Sequence, residues 1–271
     1  MLKNRVYPVI FLNSLFFFLC AYLTLFFLSS ICVAISASAF SIPVRLYYNE
    51  IDFLIRSTDW SADAVTVIYC TGPLLFFILG FILMIIFINV STEAGILRIF
   101  LVWLVILSIV LFLGEVIIGA LLNQGFGYVI MYLFIMDTGK IVLTLFGGIL
   151  LFTAGLMMSR ILLFPANTYL TDLKGLDKTK FIIYQYIFPY LAGILILQLV
   201  EIPKLSWFNT LVRICGFIFL IPVLSRSAGI QDIYFEEEKP ELYISWKTAA
   251  FALGFLVIYR VAFGIGIRFL S

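Results

Sequence analysis

Histidine does not occur once in these 271 residues. That excludes imidazole bases, histidine-ligated haem and the usual histidine-bound zinc centres. Charge is also scarce, at 12% of residues, against about a quarter in a soluble domain. The four cysteines, Cys20, Cys32, Cys70 and Cys215, show no C-x-x-C spacing. Most lie in apolar runs, where cysteine acts as a small hydrophobe, so neither a disulfide framework nor a metal site is expected. No basic tract suggests nucleic acid, and no phosphate-cradling glycine loop is present. No cofactor is expected.

What the chain has instead is apolar sequence, 64% hydrophobic with 29 phenylalanines. A helix crossing a hydrocarbon core of about 30 Å needs roughly 20 apolar residues. Runs of that kind fall at about 8–34, 64–90, 96–121, 126–163, 181–200, 207–225 and 247–270. The fold class is therefore an all-α polytopic integral membrane protein of about seven transmembrane helices, forming a single membrane domain over 1–271. The connections at about 35–63, 164–180 and 226–246 are too short to bury a core of their own. The basic start with Lys3 and Arg5, followed by Ala37-Ser38-Ala39, has the outline of a signal peptide. Its apolar stretch exceeds the usual length of about 7–15 residues, which favours an uncleaved first span.

The fourth run is too long for one straight crossing. Continuous helix over 126–163 reaches about 57 Å at 1.5 Å per residue. A break is expected at Asp137-Thr138-Gly139-Lys140, with 126–136 as a half-helix or re-entrant piece. Seven spans plus this insert is the preferred count, and eight the alternative. Placing the N-terminus inside puts ten Lys and Arg residues on inner segments, against Arg45, Arg56, Lys204 and Arg268 outside. An eighth span spoils that bias. The expectation is a bacterial inner membrane with a cytoplasmic N-terminus. The sequon Asn89-Val90-Ser91 then faces inward, and Glu236-Glu237-Glu238 with Lys239 reads as a solvated loop.

Smaller patterns add detail. Ile42, Val44, Leu46 and Tyr48 alternate, Asn49-Glu50 is turn-like, and Ile51, Phe53 and Ile55 alternate again. The segment 42–55 fits a β-hairpin at the membrane surface, with an amphipathic loop as the alternative. Tyr47, Tyr48, Trp60, Trp207, Tyr234, Tyr243 and Trp246 fit an interfacial aromatic belt. No internal repeat is visible.

A charged residue inside a span costs about 2.5–3.5 kcal/mol on insertion scales, so each one calls for a partner or a purpose. Glu115 and Arg260 lie deep in the third and seventh spans, and are expected to pair. Asp137 and Lys140, three apart, are expected to satisfy each other. Arg213 is read as snorkelling to the interface, and Glu201 with Lys204 as an exposed turn around Pro203. Asn123, Gln124, Gly125 and Gly127 follow Glu115 closely. The candidate site is therefore an intramembrane polar seam of Glu115, Asn123, Gln124, Asp137, Thr138, Lys140 and Arg260. It lines either a ligand or ion pathway or a packing interface between helices.

Three features in order along residues 10–160 resemble the site-2-type intramembrane zinc metalloproteases. They are the hairpin-like stretch, Thr71-Gly72-Pro73-Leu74-Leu75, and Met136-Asp137-Thr138-Gly139. The last is similar to that family's Leu-Asp-Gly motif, whose aspartate binds zinc. The H-E-x-x-H helix of the family is absent, and Asp137 alone cannot hold a catalytic zinc. The resemblance implies a metal-free, non-catalytic scaffold. Two functions follow as expectations: a subunit or regulator binding another membrane protein, or a transporter or channel component using the polar seam. The partners expected are the lipid bilayer and another membrane protein.

Overall fold

The computed structural model describes residues 3–89, 95–235 and 243–269, without the side chains of 3–5 and 96. The acidic run 236–238, Lys239, and the end of the sequon at 90–91 lie outside the described residues. Seven helical segments are long and apolar enough to cross a membrane. They are built from α1 (Lys3–Ala39), α2 (Ala62–Asn89), α3 (Gly95–Leu122), α5 (Asp137–Met158), α6 and α7 (Leu176–Ile182 and Phe188–Glu201), α8 and α9 (Trp207–Ile214 and Gly216–Ser227), and α10 (Trp246–Ile265). A short α4 (Gly127–Tyr132) lies between α3 and α5.

The hairpin forms, with β1 (Val44–Leu46) antiparallel to β2 (Ile51–Phe53) and Arg45 opposite Asp52. A third strand, β5 (Ile267–Phe269), pairs with the other edge of β1. The seventh span was expected to run to 270. It stops at Gly266, whose φ is +82°, and a Cβ there would lie 2.6 Å from the Tyr47 ring. The chain turns and joins the sheet. The connection after the first span and the end of the chain thus share one face, which an odd number of crossings requires. A second pair, β3 (Asp172–Leu173) with β4 (Ile233–Tyr234), lies at the opposite ends of the helices.

The fourth run breaks where its length demands, but a little earlier than expected. Residues 133–136 separate α4 from α5, and Asp137-Thr138-Gly139-Lys140 form the first turn of α5. Two glycines fold α4 back on the end of α3. Gly125 has φ +54° and sits under the Phe208 ring, and a Cβ on Gly127 would collide with the Gly119 carbonyl.

The centre of the bundle is α3, packed against α1, α2, α5 and α8. Trp103 is its buried hub. Its indole N–H donates to Ser14 Oγ at 2.9 Å, and its ring meets Phe18 edge-on at 5.1 Å and Tyr186 at 5.6 Å. Ser14 Oγ in turn donates to the Gln185 carbonyl. Residues 183–187 form a π-turn, and such a wide turn leaves carbonyls free for an outside donor. Apolar surface drives little helix association inside lipid, so close packing matters more. Small residues supply it: Gly155 lies against the Phe219 carbonyl of α9, and Gly193 against the Phe18 ring. The outer faces of α2 and α5 stay apolar and exposed, as at Phe77, Phe81, Ile141 and Leu145.

The aromatic belt divides. Trp207, Tyr234, Tyr243 and Trp246 are exposed as expected, whereas Tyr48 is buried. Its ring lies under the Arg260 guanidinium at 4.6 Å.

Candidate functional site

At the hairpin face, α1, α2, α3 and α8 splay around a cavity of about 400 Å³. The β1–β2 turn at Asn49 and Glu50 borders it from above, and the 124–128 turn and Ser206 close its sides. Glu115 lines it two helical turns before the end of α3, about 10 Å down at 1.5 Å per residue. A glycine makes that depth reachable. At Gly72 a Cβ would stand 3.3 Å from Ser29 Oγ and 3.6 Å from Glu115 Oε2, so the bare backbone of α2 leaves room for the carboxylate. Pro73 follows on the same wall.

Among the described residues Glu115 makes no hydrogen bond and no ion pair. The expected Glu115–Arg260 pair does not form. Arg260 donates instead to the Ile202 carbonyl at 2.9 Å and rests on Tyr48. Among the described residues no lysine or arginine lines the cavity, while Glu50 stands at its mouth.

A buried ion pair does form, between other residues. Glu201, at the end of α7, binds Arg213 of α8. The Arg213 side chain is 3% exposed and that of Glu201 0%. The expectations of a snorkelling arginine and a solvated Glu201 are both overturned. The turn after Pro203 folds α7 and α8 together at one level, and the hairpin covers both. Arg213 Nε donates to Tyr22 Oη at 2.9 Å, and Tyr259 Oη donates to Glu201 Oε1 at 3.0 Å. Tyr259 also bonds the Tyr48 carbonyl, and Tyr190 the Arg213 carbonyl. Glu201 Oε2 and Arg213 Nη1 are buried without a hydrogen-bond partner. Tyr22 belongs to both places, since it lines the cavity and accepts from Arg213.

The seam read from the sequence thus separates. Glu115 and Gln124 meet at the cavity. Asn123 sits beside them at φ +54°, its Oδ1 buried and unpaired. Lys140 Nζ does lie 3.3 Å from Asp137 Oδ1, but Asp137 is 95% exposed and lines no part of the cavity. Thr138 is exposed as well. Arg260 stands beyond the Glu201 network. Among the described residues no three His, Cys, Asp or Glu side chains gather as a metal site would need.

The residues that sequence reasoning passed over are Tyr22, Ser29, Glu201, Arg213 and Tyr259. A signal existed for the pair: Glu201 and Arg213 flank one short turn, so both must lie near the same membrane face. The tyrosines gave no such signal, because a tyrosine in an apolar run looks like any other aromatic.

At the opposite face Lys178 Nζ lies 2.9 Å from Asp232 Oδ1, and the Gly175 N–H donates to the same oxygen at 3.2 Å. The Lys178 hydrogen bond, then that of Gly175, holds the Asp232 carboxyl below its ordinary value.

No protein-family model, curated protein or solved structure matches this chain. Function must therefore be argued from the site itself.

Proposed function

We propose that this polytopic membrane protein takes a ligand into the vestibule from the hairpin face, as a transporter or channel component, with Glu115 as the group that meets it. The observation that carries this reading is a carboxylate without a protein partner among the described residues, about 10 Å below the end of its helix, in a cavity of about 400 Å³. Ligand cavities run from about 300 to 1,000 Å³. A purely structural glutamate at that depth is expected in a pair, as Glu201 is. The lysine and arginine bias supports a cytoplasmic N-terminus, so the vestibule opens away from the cytoplasm, across a bacterial inner membrane.

Cysteine accessibility tests the reading. In a background without Cys20, Cys32, Cys70 and Cys215, Glu115→Cys in sealed vesicles reacts with an impermeant maleimide from the hairpin side only. The buried control Ala252→Cys stays silent. A reactive Gln124→Cys beside an unreactive Glu115→Cys removes the vestibule from consideration.

The subunit-or-regulator reading, on a metal-free scaffold resembling the site-2 proteases, draws support from a second feature. A mostly apolar groove between α2, α3 and α5 has Gly80, Ser108 and Ala154 among its walls, and Ser108 Oγ is buried there without a partner. Small residues along such a groove suit the close approach of another membrane helix. This reading expects a stoichiometric membrane partner in mild detergent, lost in Ala154→Trp. Retention of the partner in that variant refutes the groove as its seat.

A further inference from the structure

The walls of the vestibule say more about its ligand than the carboxylate alone. Phe53, Tyr69 and Tyr128 form a continuous aromatic surface, with centroids 5.6 Å apart for the first pair and 4.9 Å for the second. Tyr22, Phe126 and Phe208 line other sides. The walls come from five separate parts of the chain, so their clustering is tertiary and not a run in the sequence. Aromatic faces carry negative electrostatic potential, and a cation within about 6 Å of a ring centroid is attracted to it. Rings, one deep carboxylate, a second at the mouth and no basic side chain together make a cation receptor.

The same features disfavour other occupants. An anion meets Glu115 and Glu50 with nothing to neutralise it. A bare divalent ion wants about six oxygen ligands at close range, and among the described residues no three acidic side chains gather here. A transmembrane helix, about 10–12 Å across with its side chains, is too wide for this volume.

We propose that the vestibule binds a small organic cation of the alkylated ammonium type, with its charge near Glu115 and its alkyl groups against the Phe53–Tyr69–Tyr128 surface. This rests on the reading of the vestibule as the ligand site. Ser29 and Ser30, on the α1 wall, offer hydroxyls to a polar substituent. The rings around Glu115 offer methyl groups apolar contact that a fully hydrated primary ammonium would not use.

The test uses the full chain in lipid nanodiscs and three probes of nearly equal shape: choline, its uncharged carbon isostere neohexyl alcohol, and the anion tert-butylacetate. Binding is read by calorimetry and by ligand-observed saturation-transfer NMR. Choline is expected to bind at least about tenfold more tightly than neohexyl alcohol, with no detectable binding of the anion. Glu115→Gln should bring choline down to the level of the alcohol. Tyr128→Leu, at a partly exposed residue whose loss the fold should tolerate, should weaken choline more than the alcohol, and it keeps the test open if Glu115→Gln does not fold. Equal affinities for choline and the alcohol, tighter binding of the anion, or no binding of choline each overturn the proposal. If Glu115→Cys is labelled from the hairpin side and choline still does not bind, only the ligand class fails. If Glu115→Cys is unreactive, the vestibule reading fails with it.

Discussion

Truncating either member of the Glu201–Arg213 pair should destabilise this protein more than removing both. The pair is enclosed, with side-chain exposures of 0% and 3%. Arg213→Met strands a carboxylate whose only remaining partner is the Tyr259 hydroxyl at 3.0 Å. Glu201→Leu strands a guanidinium that keeps only Tyr22, through Nε at 2.9 Å. Breaking a buried pair in this way costs about 3–5 kcal/mol, because an uncompensated charge stays in a medium of low dielectric constant. Tyr259→Phe removes a hydroxyl proton shared between Glu201 and the Tyr48 carbonyl and should cost about 1–3 kcal/mol. The double variant Glu201→Leu with Arg213→Met removes both charges and leaves two tyrosine hydroxyls underused. Its loss should be smaller than that of either single variant, which makes the coupling energy large and favourable. The assay is equilibrium unfolding in mixed micelles of increasing denaturing-detergent fraction, followed by tryptophan fluorescence, for all four members of the cycle. Additive losses, or single losses below about 1 kcal/mol, would show that the pair is hydrated in the membrane and refute the enclosure argued here.

Three further outcomes follow from the same geometry. Asp137→Asn should change stability by no more than about 0.5 kcal/mol, since its pair with Lys140 is a surface one; a loss as large as that of Glu201→Leu would mean that Asp137 is covered in the membrane. Gly155→Ala should cost about 1–3 kcal/mol in the same unfolding assay, because its Cβ would collide with the Phe219 carbonyl and meet Pro222 at 2.9 Å. Gly148→Ala, with nothing within 4 Å, should instead be neutral or gain up to about 1 kcal/mol from helix propensity, and equal losses at the two sites would refute the α5–α9 contact. Asp232 has a lowered pKa when folded, so its contribution is present above its ordinary value of 3.8 and is lost as pH falls through the lowered one. Protection of the β3–β4 amides against hydrogen exchange should therefore fall at the acid end in the native protein. Asp232→Asn should remove that pH dependence, and an unchanged acid limb in the variant would rule out this carboxyl as its source.

The helices were legible because their signal is additive along the chain. An apolar run long enough to span does so whatever its neighbours are, and apart from the broken fourth run the observed spans start and stop within about five residues of the expected ones, with a change of structure type only at the end. There Gly266 and the Ile267-Arg268-Phe269 alternation are too short to outweigh the run before them, and only the free edge of β1 makes them a strand. The charges were less legible, for a physical reason. Depth along a helix can be counted from sequence, but direction around its axis depends on which neighbour is present. Glu115 lies seven residues from the end of its span and Arg260 five, yet one faces the vestibule and the other rests on Tyr48 of the hairpin. Arg213 lies at a comparable depth, six residues after Trp207, and is almost wholly covered, because Glu201 of α7 and Tyr22 of α1 hold its guanidinium.

The ion pair and the vestibule are joined through Tyr22, and this bears on what the vestibule can do. A cavity whose walls must be arranged when a ligand arrives loses affinity to that ordering. Here one wall residue is fixed in advance. Arg213 Nε holds the Tyr22 hydroxyl, the guanidinium lies 4.9 Å from the Tyr22 ring centroid, Glu201 holds the guanidinium, and Tyr259 holds Glu201. That chain of contacts ties α1, α7, α8 and α10 together at one level of the bundle. The floor of the vestibule lacks such fixing, since Glu115 has no protein partner among the described residues. A rigid wall beside an unsatisfied carboxylate favours recognition by charge over recognition by induced closure. Loosening the wall through Tyr22→Phe should then weaken ligand binding without altering the preference for cation over neutral isostere, because that preference resides in Glu115.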